Sequence, residues 1–172
     1  MEYQLEPEEK STTVMVYTTN MLVRGELITK KIMRVGIWPR SMGVPNLIHI
    51  FNPTVLLFGG PAPKHFSQAE IFIPTANLIG FHAAAHLDEP LDYDPNEKNR
   101  LNAPVSLIMG GFIVKGHVRI ASSSSLTSSL EVMYNGWLSI YDAEITNSFL
   151  SQTQPMLVKF LLVKPSQTSF FV

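Results

Sequence analysis

The chain of 172 residues has no cysteine, few charged residues and no long apolar run. The absence of cysteine excludes disulfides, thiolate metal sites and a cysteine nucleophile, and it is typical of a reducing compartment. The N-terminus, MEYQLEPEEK, is acidic and lacks the apolar stretch of a secretory signal. No apolar run approaches the roughly 20 residues that span a bilayer. We therefore expect a cytoplasmic protein with no membrane span.

Motifs for catalysis are also missing. The sequence has no G-x-S-x-G nucleophile elbow. The pairs Gly59-Gly60 and Gly110-Gly111 stand alone in turn contexts and do not form a phosphate-binding loop. We therefore expect a protein that is not an enzyme and that holds no cofactor.

The spacing of two histidines is one that occurs in metal sites. His82 and His86 are four residues apart and precede several acidic residues, which on a helix would place two imidazoles on one face. The segment is short, Pro90 interrupts it, and the glutamate of a zinc-protease signature is absent. A solvated acidic linker is the favoured interpretation, and no metal site is predicted.

Low charge is the main compositional signal. Charged residues make up 16% of the chain and hydrophobic residues 45%, whereas about a quarter of an average domain is charged. Such a surface is typical of a protein partly covered by a partner. The charges are uneven, because residues 13–87 carry six Lys or Arg against two Glu, while residues 1–12 and 88–104 are acidic.

What the chain does contain is an internal repeat. Aligning Arg24-Gly25 with Lys115-Gly116 gives an offset of 91 residues, and two further blocks match at an offset of 90. The matching blocks are 15–27 with 106–118, 47–52 with 137–142, and 71–73 with 161–163. A nearly constant offset across separated blocks predicts two copies of one small unit.

Each copy has the pattern of an all-β unit. Short, β-branched, alternating runs are separated by turn residues, which predicts about five strands per copy in a small barrel or barrel-like sandwich. We predict an acidic flexible N-terminus (1–12), β repeat 1 (13–82), an acidic linker with prolines (83–104) and β repeat 2 (105–172). Residues 30–40 could form a helical turn or a strand, the Ser-rich segment 121–129 a polar loop, and residues 130–133 a strand.

Bases and an aromatic residue mix in repeat 1. The residues that could contact an anion or a partner are Arg24, Lys30, Lys31, Arg34, Trp38, Arg40 and Lys115. The segment from Lys30 to Arg40, with Lys64 and His65, could form a platform for single-stranded nucleic acid. Arg24 and Lys115 could each contact a backbone or a phosphate. A partly buried Trp38 flanked by long basic side chains is the favoured interpretation, since repeat 2 lacks this mixture and the net charge is only −1.

Paired polar residues recur at equivalent places. Asn52 aligns with Asp142, and Asn77 aligns with Gln167. Residues of this type at strand ends most often serve turn hydrogen bonds. The alternative is a pair of equivalent ligand pockets.

The strand order of each copy resembles that of the Sm-like small β-barrels. The resemblance rests on a strand with a basic-Gly pair (MLVRGELIT), a strand ending in Asn or Asp (NLIHIFN, WLSIYD) and a pair joined by a tight turn (IFIPTANLIGF). Residues 30–46 and the GGPAPK loop depart from this pattern. The arrangement is also similar to that of uncharacterised prokaryotic proteins. The resemblance implies ring-forming proteins that bind RNA through loop residues.

Two functions are therefore expected. The first is a non-enzymatic protein-interaction or assembly module, as a homo-oligomer or with a protein partner. The alternative is an Sm-like nucleic-acid-binding protein that uses the basic face of repeat 1.

Overall fold

The computed structural model describes residues 3–84, 90–147, 150 and 154–171, and it is all-β as predicted. The strands of this part of the chain are β1 (Glu9–Tyr17), β2 (Met21–Lys30), β3 (Leu47–Leu57), β4 (Lys64–Ser67), β5 (Glu70–Pro74), β6 (Gly80–Ala83), β7 (Arg100–Met109), β8 (Phe112–Ala121), β9 (Leu138–Asn147), β10 (Met156–Val163) and β11 (Ser169–Phe171). The helices are α1 (Leu126–Val132) and the short 3-10 helices Val35–Arg40, Thr75–Asn77 and Pro165–Gln167. Among the helices so described, none has the length and apolar character needed to cross a membrane.

These strands form one open antiparallel sheet instead of two closed barrels. Their order is β11-β7-β8-β9-β10-β6-β1-β2-β3-β4, and β5 also pairs with β3. The two predicted units merge because β6, the last strand of the first, hydrogen-bonds to β10 of the second.

The pairing order of the first half recurs in the second. It runs β6-β1-β2-β3-β5 in one half and β11-β7-β8-β9-β10 in the other. Register shifts place two residues beginning with Asn52 opposite Gly25, and two beginning with Asp142 opposite Gly116. Asn52 and Asp142 have φ angles of 47° and 48°, a conformation that Asn and Asp tolerate better than most residues. The aligned polar pair thus supplies a bend within β3 and β9.

Strand β1 is buried on both faces and separates two cores. Because side chains alternate along a strand, Val14 and Val16 pack in one core with β2, β3 and the 3-10 helix Val35–Arg40. Met15 and Tyr17 pack in the other core, whose remaining members come mostly from β7 to β10. The second core therefore contains residues from both halves of the chain.

Several predicted boundaries and elements differ from the structure. β1 begins at Glu9, within the predicted flexible N-terminus, because β2 extends to Lys30 and offers a backbone partner there. β7 begins at Arg100, inside the predicted linker, and β4 was not predicted. The predicted strand at 130–133 is wrong: α1 covers most of it, since the Ser125 hydroxyl caps the helix by accepting from the Ser128 N–H.

Candidate assembly interface

The two halves meet where β6 pairs with β10. Leu162 lies opposite Phe81 and Val163 opposite Gly80. The backbone N–H of Lys164 continues this pairing by donating to the Ile79 carbonyl at 2.9 Å. Leu162, Val163 and Phe81 are fully buried, so the join combines backbone hydrogen bonds with apolar burial.

Close packing surrounds this join. Trp38 packs against Phe81 with ring centroids 5.9 Å apart, and it is only 7% exposed. A Cβ at Gly80 would overlap the Met109 side chain, and a Cβ at Gly110 would lie 3.0 Å from the Thr18 carbonyl oxygen. The turn at Gly110, with a φ of 57°, thus lies so close to the Thr18 backbone that it requires glycine, and Gly80 leaves room for the Met109 side chain.

An arginine–aspartate cluster lies beside the same join. Arg40 donates to Asp92 Oδ2 at 2.5 Å, to Ser139 Oγ at 2.5 Å and to the Trp137 carbonyl at 2.9 Å. Asp92 also accepts from the hydroxyls of Ser139 and Tyr141. The pKa of Asp92 is lowered: burial acts to raise it, but the hydrogen bonds from Tyr141, Ser139 and Arg40 together outweigh burial.

β5 and β11 are the counterparts of β10 and β6, the two strands of this join, but each of them has an unpaired edge among the described residues. At the 90-residue offset, Phe72 and Ile73 of β5 align with Leu162 and Val163, and Phe171 of β11 aligns with Phe81. Within the described residues, β5 pairs with β3 alone and β11 with β7 alone. Phe72 is 56% exposed and Phe171 is 46% exposed. The side chains that bury the internal join therefore have exposed aromatic counterparts on both free edges.

A proline limits hydrogen bonding at the free edge of β5. Pro74 aligns with Lys164 and has no N–H, so β5 cannot supply the counterpart of the Lys164–Ile79 hydrogen bond. Proline is one of the residues by which natural sheets limit edge pairing. A contact at this edge would have fewer hydrogen bonds than the internal join.

The basic residues predicted as contacts do not converge on one face. Arg34 donates to the carbonyls of Pro90 and Leu91. Lys30 pairs with Glu6 and Glu9 at 3.5 and 3.8 Å. With Arg40 and Trp38 at the join, four of the seven residues contact other parts of the same chain.

The other three predicted contacts are exposed. Arg24 and Lys115 lie on β2 and β8 next to the two bulges, and Lys31 follows β2. None of the three forms a salt bridge with a described residue. They are separate basic positions on the surface.

The first histidine of the spaced pair lies in a buried strand and not in the solvated linker that the sequence favours. His82 is fully buried in β6, where Nε2 lies 3.0 Å from the Tyr17 hydroxyl and Nδ1 lies 2.7 Å from the Ala83 carbonyl. Both ring nitrogens are thus engaged within the protein, and His86 lies outside the described residues. No group of three or more His, Asp or Glu suited to a metal occurs among the described residues.

The aligned amides lie together instead of in two separate pockets. Asn77 and Gln167 both line a cavity of about 550 Å³ together with the turn from Thr18 to Met21. The cavity has hydroxyl and amide groups and no charged lining residue among those described.

Sequence reasoning missed Asp92, Ser139 and Tyr141, because their partners are far away along the chain. Arg40 is 52 positions from Asp92 and 99 from Ser139, and Asp92 is 49 positions from Tyr141. A signal did exist for Phe72 and Phe171, because the repeat aligns them with Leu162 and Phe81, the residues that face each other in the join. Comparison with family models, curated proteins and solved structures found no match to this chain.

Proposed function

We propose that this chain is a non-enzymatic assembly module, a duplicated small β unit that associates with further copies through its two free strand edges. The observation that supports the proposal is the β6–β10 join, which connects the two halves of the chain by strand pairing. The free edges β5 and β11 align with the two strands of that join. A second copy could therefore place its β11 beside β5, with Phe171 near Phe72.

Such a contact is head to tail, because the two edges differ. Head-to-tail contacts generate a ring if the rotation closes and a filament if it does not. Burial of the two exposed phenylalanines would favour association, while Pro74 removes one donor. We therefore expect association that depends on protein concentration.

Light scattering across a concentration series, at low and high salt, tests the proposal. We expect the mass to rise with concentration at both salts, because the contact is mainly apolar and backbone-mediated. Single variants F72K and F171K should each reduce association. I32K is the matched control, since Ile32 is 94% exposed and belongs to neither β5 nor β11. A monomer at every concentration, or an equal effect of I32K, would contradict the proposal.

The lack of cysteine permits a direct test of geometry. Single variants F72C and F171C, mixed and oxidised, should form a disulfide-linked heterodimer, since directly paired strand residues lie within bridging distance. Each variant alone should cross-link much less. Efficient homodimers of one variant would indicate a symmetric contact in place of the head-to-tail contact.

Nucleic-acid binding remains the second candidate. It is favoured by exposed Arg24, Lys31 and Lys115, which have no salt-bridge partner in the described part of the chain. A binder of this kind should lose affinity for single-stranded RNA or DNA steeply with salt. R24Q and K115Q should reduce the salt slope, whereas F72Q, which adds no charge, should leave it unchanged.

A further inference from the structure

A cavity of about 360 Å³ lies between α1 and the adjoining ends of β8 and β9. Its apolar lining includes Val118, Ile120 and Leu138 from the strands and Val132 and Met133 from the α1 region. A volume of this size is in the range of small-molecule sites, which are mostly apolar with a few placed polar groups.

The cavity exists because the two halves fill the same place differently. In the first half, the 3-10 helix Val35–Arg40 buries Val35, Gly36, Trp38 and Pro39. Val35 and Trp38 share a core with Leu27 and Ile48, which align with Val118 and Leu138. In the second half, no residue of α1 is fully buried among those described. The α1 region thus covers Val118, Ile120 and Leu138, which are at most 5% exposed, but it leaves the cavity beside them.

Three arginines adjoin this apolar space, namely Arg40, Arg100 and Arg119. No carboxylate is among the described residues that line it. Glu97 pairs with Arg100 at 3.0 Å and with Arg119 at 3.6 Å, and it does not line the cavity. Arg40 pairs with Asp92 at 2.5 Å. The three guanidinium groups beside the cavity therefore share two carboxylates, which leaves an excess of positive charge at its polar end.

The Nε–H group of Arg119 has no hydrogen-bond partner among the described residues. Its guanidinium lies 4.1 Å from the centroid of the Tyr93 ring and donates to the Asp94 and Glu97 carbonyls. The Nε atom itself is buried. A buried donor without a partner is unusual in a native protein, and an anionic oxygen would satisfy it.

We propose that this cavity binds a small organic anion with an apolar body, of the medium-chain monocarboxylate class. The apolar part would lie on Val118, Ile120 and Leu138, and the carboxylate would face the arginines. Guanidinium groups are the side chains best matched to a carboxylate. This site is separate from the free strand edges, so it does not depend on the assembly proposal.

Calorimetric titration with octanoate, which has about ten non-hydrogen atoms and suits a small apolar pocket, tests the proposal. We expect one saturable site per chain and a raised Tm on binding. Acetate has the charge without the apolar body, and octylamine has the apolar body with the opposite charge. Both should bind at least about tenfold more weakly. No saturable binding of octanoate, or equal binding of octylamine, would overturn the proposal.

Substitutions at the cavity locate the site. Val132 lines it and is 83% exposed, so both V132E and V132K should fold. V132E should weaken octanoate binding by repulsion, whereas V132K should retain or strengthen it. R119Q should weaken binding at least about tenfold. Because Arg119 also donates to the Asp94 and Glu97 carbonyls, a second variant is needed that leaves the arginines unchanged. A121L is that variant, since its larger side chain fills the cavity. Unchanged affinity in both V132E and A121L would exclude this cavity as the site.

Discussion

At the scale of single residues, two glycines are set by the approach of a neighbouring strand. A Cβ at Gly25 would overlap Ile50 and lie 2.8 Å from the Phe51 carbonyl oxygen, and Gly116 is similarly crowded. We expect G25A and G116A each to lower the free energy of unfolding by about 1–3 kcal/mol, because extra atoms force the strands apart. Urea denaturation measures this.

The control for these variants is G60A. The nearest atom to a Cβ at Gly60 lies 3.7 Å away, which is ordinary contact, so we expect a change within about 0.5 kcal/mol. If G25A proved as stable as G60A, the close approach at the bulge would not limit stability.

His82 gives the protein a pH-dependent stability. Burial lowers its pKa from 6.5 to about 4, although its hydrogen bond to the Ala83 carbonyl acts in the opposite direction. The unfolded chain therefore binds a proton between these pH values that the folded protein does not, so stability falls as pH drops from about 6.5 towards 4. At about 1.4 kcal/mol per pH unit, the loss is at most about 3 kcal/mol.

The test is urea denaturation of H82Q at several pH values between 7 and 4.5. Glutamine can still hydrogen-bond to Tyr17 but does not titrate, so we expect a flatter dependence on pH than in the parent. H65Q removes an exposed histidine and should keep the parent slope. An H82Q protein with the parent slope would show that another group controls this range.

At the scale of elements, the sequence predicts strands that depend on local pattern. β2, β8 and β10 follow their alternating or apolar runs closely. β4 is a four-residue strand in which every residue is exposed, so it has no burial pattern to detect. α1 depends on the Ser125 cap in a segment whose composition also suits a loop.

The sequence does not indicate which distant elements pair with each other. Nothing in the local pattern of 80–83 indicates that β6 pairs with β10 instead of closing its own unit. The contacts of the basic segment 30–40 could not be predicted for the same reason. Its composition suits a surface that binds anions, but Trp38 and Arg40 instead contact Phe81 and Asp92. Which interpretation holds depends on partners brought together by the fold.

At the scale of the whole molecule, the halves share both a sheet and a core. Met15, Tyr17, Phe58 and Ile79 of the first half belong to the core formed mostly by the second. We therefore expect one cooperative unfolding transition, because neither half keeps its apolar contacts without the other. In calorimetry, the van't Hoff and calorimetric enthalpies should agree; two separate transitions would contradict a shared core.

Disrupting the Asp92 cluster should lower the free energy of unfolding but leave a single unfolding transition. D92N removes the charge that Arg40, Ser139 and Tyr141 stabilise, and we expect a loss of about 1.5–3 kcal/mol, as for hydrogen bonds to a charged group. Since the folded pKa of Asp92 lies below its usual 3.8, its contribution is present above that pH and disappears as pH falls through the folded pKa. K30Q, which breaks an exposed pair, should change stability by less than about 1 kcal/mol. A second transition in D92N would mean that this cluster, more than the shared core, couples the two halves.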